Sequence, residues 1–84
     1  MARQTYFVVQ PFAPGKGGKL EPKPAMPAQS RDQAERVARR LGERGGAVAF
    51  SRTGDPQLGE YDEAVVIGAF GELPEDAIEA MSAA

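Results

Sequence analysis

The carboxylates most able to do chemistry in this chain lie close together in the stretch SRTGDPQLGEYDE, residues 51–63. Such oxygens are ligands for a hard divalent cation, and two carboxyls with different environments can also act as general acid and base. The spacing does not follow the EF-hand loop, and acids on a glycine-rich turn favour solvation over burial. The carboxylates are those of Asp55, Glu60, Asp62 and Glu63.

The same stretch carries turn chemistry. Gly54 and Gly59 tolerate positive φ, and Asp55 before Pro56 favours turn initiation. Cysteine and histidine are absent, which excludes disulfides, zinc sites of the Cys/His type, Cys nucleophiles and imidazole catalysis. We therefore predict a hairpin connection here, with no catalytic residue, metal site or cofactor, and a protein that is not an enzyme.

Two basic features could bind phosphate. The GKGGK segment, residues 15–19, places glycine amides beside lysines, but it lacks the spacing and the following helix of a Walker A motif. Residues 31–44 contain five arginines. Asp32 and Glu35, however, stand four residues before Arg36 and Arg39, as on an ion-paired helix surface. The pattern favours a flexible loop and a solvated helix face over a nucleic-acid interface.

These residues must be positioned by a small set of elements. TYFVVQ, residues 5–10, predicts a strand covered on both faces. Residues 11–27 hold five of the seven prolines and predict a Pro/Gly-rich loop, with a short edge strand possible near residues 19–21.

A helix is predicted from Ser30, which has capping-box spacing to Gln33, and a glycine among residues 42–46 is predicted to end it in the left-handed conformation. Strands are predicted at 47–52 and 64–70, with a bulge or close backbone approach at Gly68.

Pro74 is placed to open a second helix, through Met81. The order is strand, loop, helix, strand, strand, helix. It predicts an α+β fold, β-loop-α-β-β-α, with a small three-stranded, mainly antiparallel sheet and two helices packed on one face. The other face is then partly bare, with Tyr6, Val8, Val66 and Phe70 directed toward it.

The length of the chain and the distribution of its charges limit the kinds of partner it can have. The 84 residues form one domain, 1–84, with a thin core that self-association would help. Residues 1–52 carry all ten bases and four acids, net +6, whereas residues 53–84 carry eight acids and no base, net −8. Neither a signal peptide nor a membrane-spanning stretch is visible, so we expect a cytoplasmic protein without membrane contact.

The run AERVARRLGERGGAVAFSRTGDPQLGEYDEAVVIGAFGELPEDA resembles a group of small uncharacterised bacterial proteins, which implies no activity. More loosely, YFVVQPF, AERVARRL and EAVVIGAFGELPEDA are similar in layout to sporulation-related repeat (SPOR) domains. That resemblance implies a small antiparallel sheet backed by helices and binding of peptidoglycan glycan strands. The chain departs from it in the proline-rich insertion and in the absence of an export signal and of a final strand.

The sequence therefore predicts a non-enzymatic module that docks a protein partner or a second copy, through the bare sheet face, the 11–27 loop, or both. The alternative is a SPOR-like module that binds glycan or a polyanion through the arginines and the loop around Tyr61. Steep weakening by salt would indicate a polyanion. The predicted partner-binding residues are Tyr6, Val8, Phe12, Arg36, Arg40, Arg52, Tyr61 and Phe70.

Overall fold

A computed structural model describes residues 3–74 of the chain. In that range, strands β1 to β6 span Gln4–Pro14, Leu20–Pro22, Met26–Ala28, Gly46–Asp55, Glu60–Tyr61 and Val65–Gly71. One α-helix, α1, spans Arg31–Gly42, and a 3-10 turn spans Lys16–Gly18. Within residues 3–74, no helix has the length and apolar character needed to span a membrane.

All six strands belong to one antiparallel, curled sheet. Its centre is the ladder between β1 and β4, which runs through nine consecutive pairs from Gln4 with Gly54 to Phe12 with Gly46. Strands β2 and β3 follow one another along the outer edge of β1, and β5 and β6 do the same along the outer edge of β4. Two long strands therefore carry four short ones.

The predicted fold class is wrong in its sheet. The structure has six strands rather than three, and the part of the chain that it describes has one helix rather than two. The second predicted helix, from Pro74 through Met81, falls almost wholly on residues 75–84, which lie outside the described residues. Leu73, just before it, packs beside Val48 on the face opposite α1, so the chain leaves β6 on the side of the sheet that the prediction left bare.

The predicted loop at 11–27 is also wrong, because most of it is strand. Strand β1 continues through Pro14, and a turn with positive φ at Gly17 and Gly18 leads into β2, which confirms the expected edge strand. Proline is tolerated at position 11 because residues 23–25, opposite it, leave the ladder. The Pro11 carbonyl still accepts a hydrogen bond from the Lys23 amide at 2.9 Å.

The predicted start of α1 is confirmed. The Ser30 hydroxyl accepts a hydrogen bond from the Gln33 amide at 3.1 Å. The Gln33 side chain, however, accepts from the Gln29 amide at 2.5 Å rather than from that of Ser30. The helix is thus fixed at its first turn by a cap that reaches one residue further back than predicted.

The predicted left-handed glycine at the end of α1 is wrong, since neither Gly42, Gly45 nor Gly46 has positive φ. Close packing requires all three instead. A Cβ on Gly42 would lie 2.7 Å from the Cβ of Phe70, one on Gly45 would lie 2.6 Å from the Phe12 carbonyl oxygen, and one on Gly46 would collide with the Glu72 carbonyl. The glycines let the end of α1 and the start of β4 approach the end of β6.

The core beneath α1 consists of small side chains. Ala34 and Ala38 on the helix are fully buried, and they pack against Val9, Ala47 and Ala49 of the two central strands. Alanine opposite alanine lets the helix lie close to the sheet. Larger residues, among them Leu41 and Phe70, pack around this centre while remaining partly exposed.

A bulge in β6 decides which of its side chains face α1. Val66 pairs with Phe50 and Gly68 pairs with Ala49, so Ile67 is the extra residue. This confirms the irregularity predicted at Gly68. It also places Phe70 in the core beneath α1, whereas Val66 lies on the opposite face, so the predicted exposure of Phe70 on the bare face is corrected.

The face of the sheet opposite α1 is here called the open face, because no helix of residues 3–74 covers it. Phe12 and Val48 are buried at one end of it. Val8, Phe50 and Val66 are only partly buried, and the ladder continues past them to the Tyr6–Arg52 pair. This face therefore combines a small apolar cluster with accessible surface.

Replacing Ala38 by leucine should destabilise the fold by about 1–3 kcal/mol, because the added atoms have no space between α1 and β4. Urea denaturation followed by circular dichroism measures the change. The same substitution at exposed Arg40 is the control and should change stability by less than about 0.5 kcal/mol. Equal stability of A38L and R40L would contradict the close contact between helix and sheet.

Candidate functional site

The acidic residues of the 51–63 stretch do not converge. Asp55 is only 8% exposed, and its carboxylate accepts a hydrogen bond from the Gln57 amide at 2.9 Å. Its carbonyl accepts from the amides of Leu58 and Gly59. Asp55 therefore stabilises its own turn, as the hairpin interpretation predicts.

The other acids of this stretch are exposed. The Asp62 carboxylate forms an ion pair with Arg3 at 2.6 Å, on the surface. Among residues 3–74 there is no group of three or more acidic side chains placed to hold a metal ion. The geometry thus supplies neither a cation site nor a paired acid and base.

The predicted basic residues on α1 lie away from the sheet. Arg36 and Arg40 are exposed, whereas Arg39 pairs with Glu35 at 3.0 Å and covers the Phe70 ring, with its guanidinium 4.9 Å from the ring centroid. These arginines and Tyr61 are on opposite sides of the molecule. The structure does not assemble the predicted polyanion surface that would combine them.

Four predicted residues, Tyr6, Val8, Arg52 and Tyr61, do come together on the open face. Tyr6 is opposite Arg52 in the ladder, and Tyr61 pairs with Gly54, two residues further along β4. The two tyrosine rings have centroids 6.3 Å apart, and the Arg52 guanidinium lies 5.4 Å from the Tyr61 centroid. These four residues line a hollow of about 360 Å³, which we call the Tyr–Arg cleft.

Local sequence explains why Tyr61 reaches the cleft. A Cβ on Gly54 would lie 2.5 Å from the Tyr61 ring, so only glycine lets the ring lie against β4. The Asp62 amide donates to the Thr53 carbonyl at 2.8 Å and holds the next residue in place. Gly54 in the predicted turn is therefore a residue on which the site depends.

Arg52 is the electrostatic centre of the cleft. Its Nε is enclosed yet has no hydrogen-bond partner. Within residues 3–74, Arg52 forms no ion pair, and none of the nine residues that line the cleft is acidic. An enclosed donor without a partner is destabilising by about 1–3 kcal/mol. The Nε is too enclosed for a ligand to reach, but the outer guanidinium nitrogens of Arg52 would donate to an incoming anion while the Tyr61 ring holds the guanidinium plane.

The remaining predicted residue, Phe12, lies far along β1 and is 8% exposed, so it belongs to the core rather than to the cleft. Sequence reasoning missed Pro27 and Gln29, which line the cleft from the end of β3. Both fell within or just after the predicted loop. The period-2 alternation that indicated Tyr6 and Val8 has no counterpart in a three-residue strand that contains proline.

Comparisons with protein-family models, with curated proteins and with solved structures each found no match to this chain. The resemblances to small bacterial proteins and to SPOR domains therefore stay predictions. The evidence for the candidate site is therefore its geometry.

Replacing Asp55 by alanine should destabilise the protein by about 1 kcal/mol, because the Gln57 amide loses its acceptor. Asp55→Asn keeps an oxygen at that position and should have a smaller effect. Exposed Glu60→Ala serves as the control. The Tm of the native chain and of the three variants is measured by thermal unfolding, with and without Ca²⁺ and Mg²⁺. A rise in Tm with either cation that disappears in D55A would contradict the turn interpretation and indicate a metal site.

Proposed function

We propose that the protein is a non-enzymatic interaction module that binds an acidic segment of a partner protein at the Tyr–Arg cleft. The observation that carries the proposal is Arg52, a cation that lines the cleft on a partly apolar face, lies against the Tyr61 ring and forms no ion pair within residues 3–74. Charge complementarity selects the chemistry of the partner, because a carboxylate complements the charge and accepts hydrogen bonds from the outer guanidinium nitrogens. The proposal assigns the module to the cytoplasm, the compartment that the sequence predicts.

The apolar part of the open face supports a protein rather than a small ion as the partner. Val8, Phe50 and Val66 are partly exposed on this face. Tyrosine and arginine are the side chains most enriched among residues that dominate binding energy at interfaces. We expect apolar side chains of the partner to cover Val8 and Phe50 while its carboxylate reaches Arg52.

The peptide Ac-Leu-Val-Glu-Leu-Val-NH2 is a suitable probe, with a glutamine version as its neutral twin. We expect the acidic peptide to bind and the neutral peptide to bind about tenfold or more weakly, since a hydrogen bond to a charged group contributes about 1.5–3 kcal/mol. Arg52→Gln should abolish this difference. Amide chemical-shift titration measures both affinities and shows whether residues near Tyr6 and Tyr61 respond.

Arg40→Gln is the matched control, because it removes the same charge from the opposite side of the molecule. It should leave the affinity for the acidic peptide unchanged. Equal binding of the acidic and neutral peptides to the native chain would contradict the proposal. Loss of binding in R40Q but not in R52Q would instead favour a polyanion surface on α1.

Two further outcomes distinguish the alternatives that the sequence left open. Light scattering over the same concentrations detects self-association. A dimer that Val66→Asp disrupts would show that the open face binds a second copy of this chain rather than another protein. A neutral N-acetylglucosamine oligomer tests the glycan alternative, for which the paired tyrosines provide stacking surfaces. Saturable glycan binding that R52Q leaves intact would favour that alternative.

A further inference from the structure

A second hollow lies on the outer edge of β1, away from the Tyr–Arg cleft. Strand β2 ends at Pro22, opposite Phe12, and β3 begins at Met26, opposite Val9. Between them, residues 23–25 leave the sheet. The open hollow of about 480 Å³ bordered by this segment, β1 and the end of α1 is here called the edge pocket.

Hydrogen bonds hold the segment that frames the edge pocket. The Lys23 amide donates to the Pro11 carbonyl at 2.9 Å. The Gln10 side-chain amide donates to the Lys23 carbonyl at 2.6 Å and to the Pro11 carbonyl at 3.0 Å. Lys23 is therefore tied to β1 through both its amide and its carbonyl, and the pocket has a defined wall.

The lining of the edge pocket is apolar with a basic margin. Pro11, Met26 and Leu41, which lie on the α1 side of the sheet, supply its apolar wall. Its only charged lining residues are Lys23 and Arg44, both exposed, and neither forms an ion pair within residues 3–74. None of the lining residues in the described part of the chain is acidic. A pocket of this size, with apolar walls and a few polar groups at one side, is typical of sites for small molecules.

We propose that the edge pocket binds a small amphipathic carboxylate, a short- or medium-chain fatty acid being the simplest example. The acyl tail lies among Pro11, Met26 and Leu41, where burial removes it from water. The carboxylate lies toward Lys23 and Arg44, whose charges complement it. The edge pocket shares no lining residue with the Tyr–Arg cleft, so this site stands independently of the proposed function.

Octanoate is the probe, with octanol as the neutral molecule of the same chain length; octanoate is kept below its critical micelle concentration and octanol below its solubility limit. The full chain is labelled with ¹³C at its methionine methyls, and Met26→Leu assigns the Met26 signal. We expect a saturable shift of that signal with octanoate, and binding of octanol that is weaker by about tenfold or more. The double variant Lys23→Glu, Arg44→Glu should weaken octanoate by a similar factor while leaving octanol unchanged.

Lys16→Glu is the control for the change of charge, because Lys16 lies in the 3-10 turn outside the pocket. It should leave octanoate binding unchanged, and unaltered amide spectra verify that each variant is folded. Octanol binding as tightly as octanoate would overturn recognition of the carboxylate. An unshifted Met26 methyl, or a shift lost in Arg52→Gln, would overturn the site itself.

Discussion

The ladder between β1 and β4 is the constraint on which the rest of the structure depends. Because side chains alternate along a strand, its register directs Val9 and Ala49 toward α1 and pairs Tyr6 with Arg52 on the open face. A slip of one residue in β4 would turn Arg52 toward the helix side of the sheet and move Ala49 to the open face. Glycine at both ends of β4 suits this register, since Gly46 contacts the chain after β6 and Gly54 accommodates Tyr61.

The helix layer and the bulge in β6 then divide the molecule into two unlike faces. The alanine interface keeps α1 close to the sheet, so longer side chains are found at its margin, where Arg39 covers Phe70. The bulge turns Phe70 toward this side and leaves Val66 on the other. The polar helix surface and the open face therefore differ in chemistry, and the aromatic and guanidinium groups of the Tyr–Arg cleft are on the open face.

Local signals predicted part of this arrangement. The capping hydroxyl of Ser30 and the glycine in β6 each act within a few residues, so both could be recognised. The extension of β1 through Pro11 could not, because proline is compatible with this strand only where the neighbouring edge leaves the ladder. The close approach of Gly42 to Phe70 likewise joins residues far apart in sequence. Because the sequence does not display such non-local contacts, the prediction had three strands where the structure has six.

The shortness of strand β3, which its prolines impose, shapes both candidate sites. Strand β3 has three residues, is flanked by Pro24 and contains Pro27, and it pairs only with residues 7–9 of β1. On one side of this short pairing lies the edge pocket, and on the other side β1 continues unpaired along that edge into the Tyr–Arg cleft. A longer edge strand would pair with β1 at both places and fill both hollows with backbone. Prolines that shorten the edge therefore create the concave surface that a sheet of this size otherwise lacks.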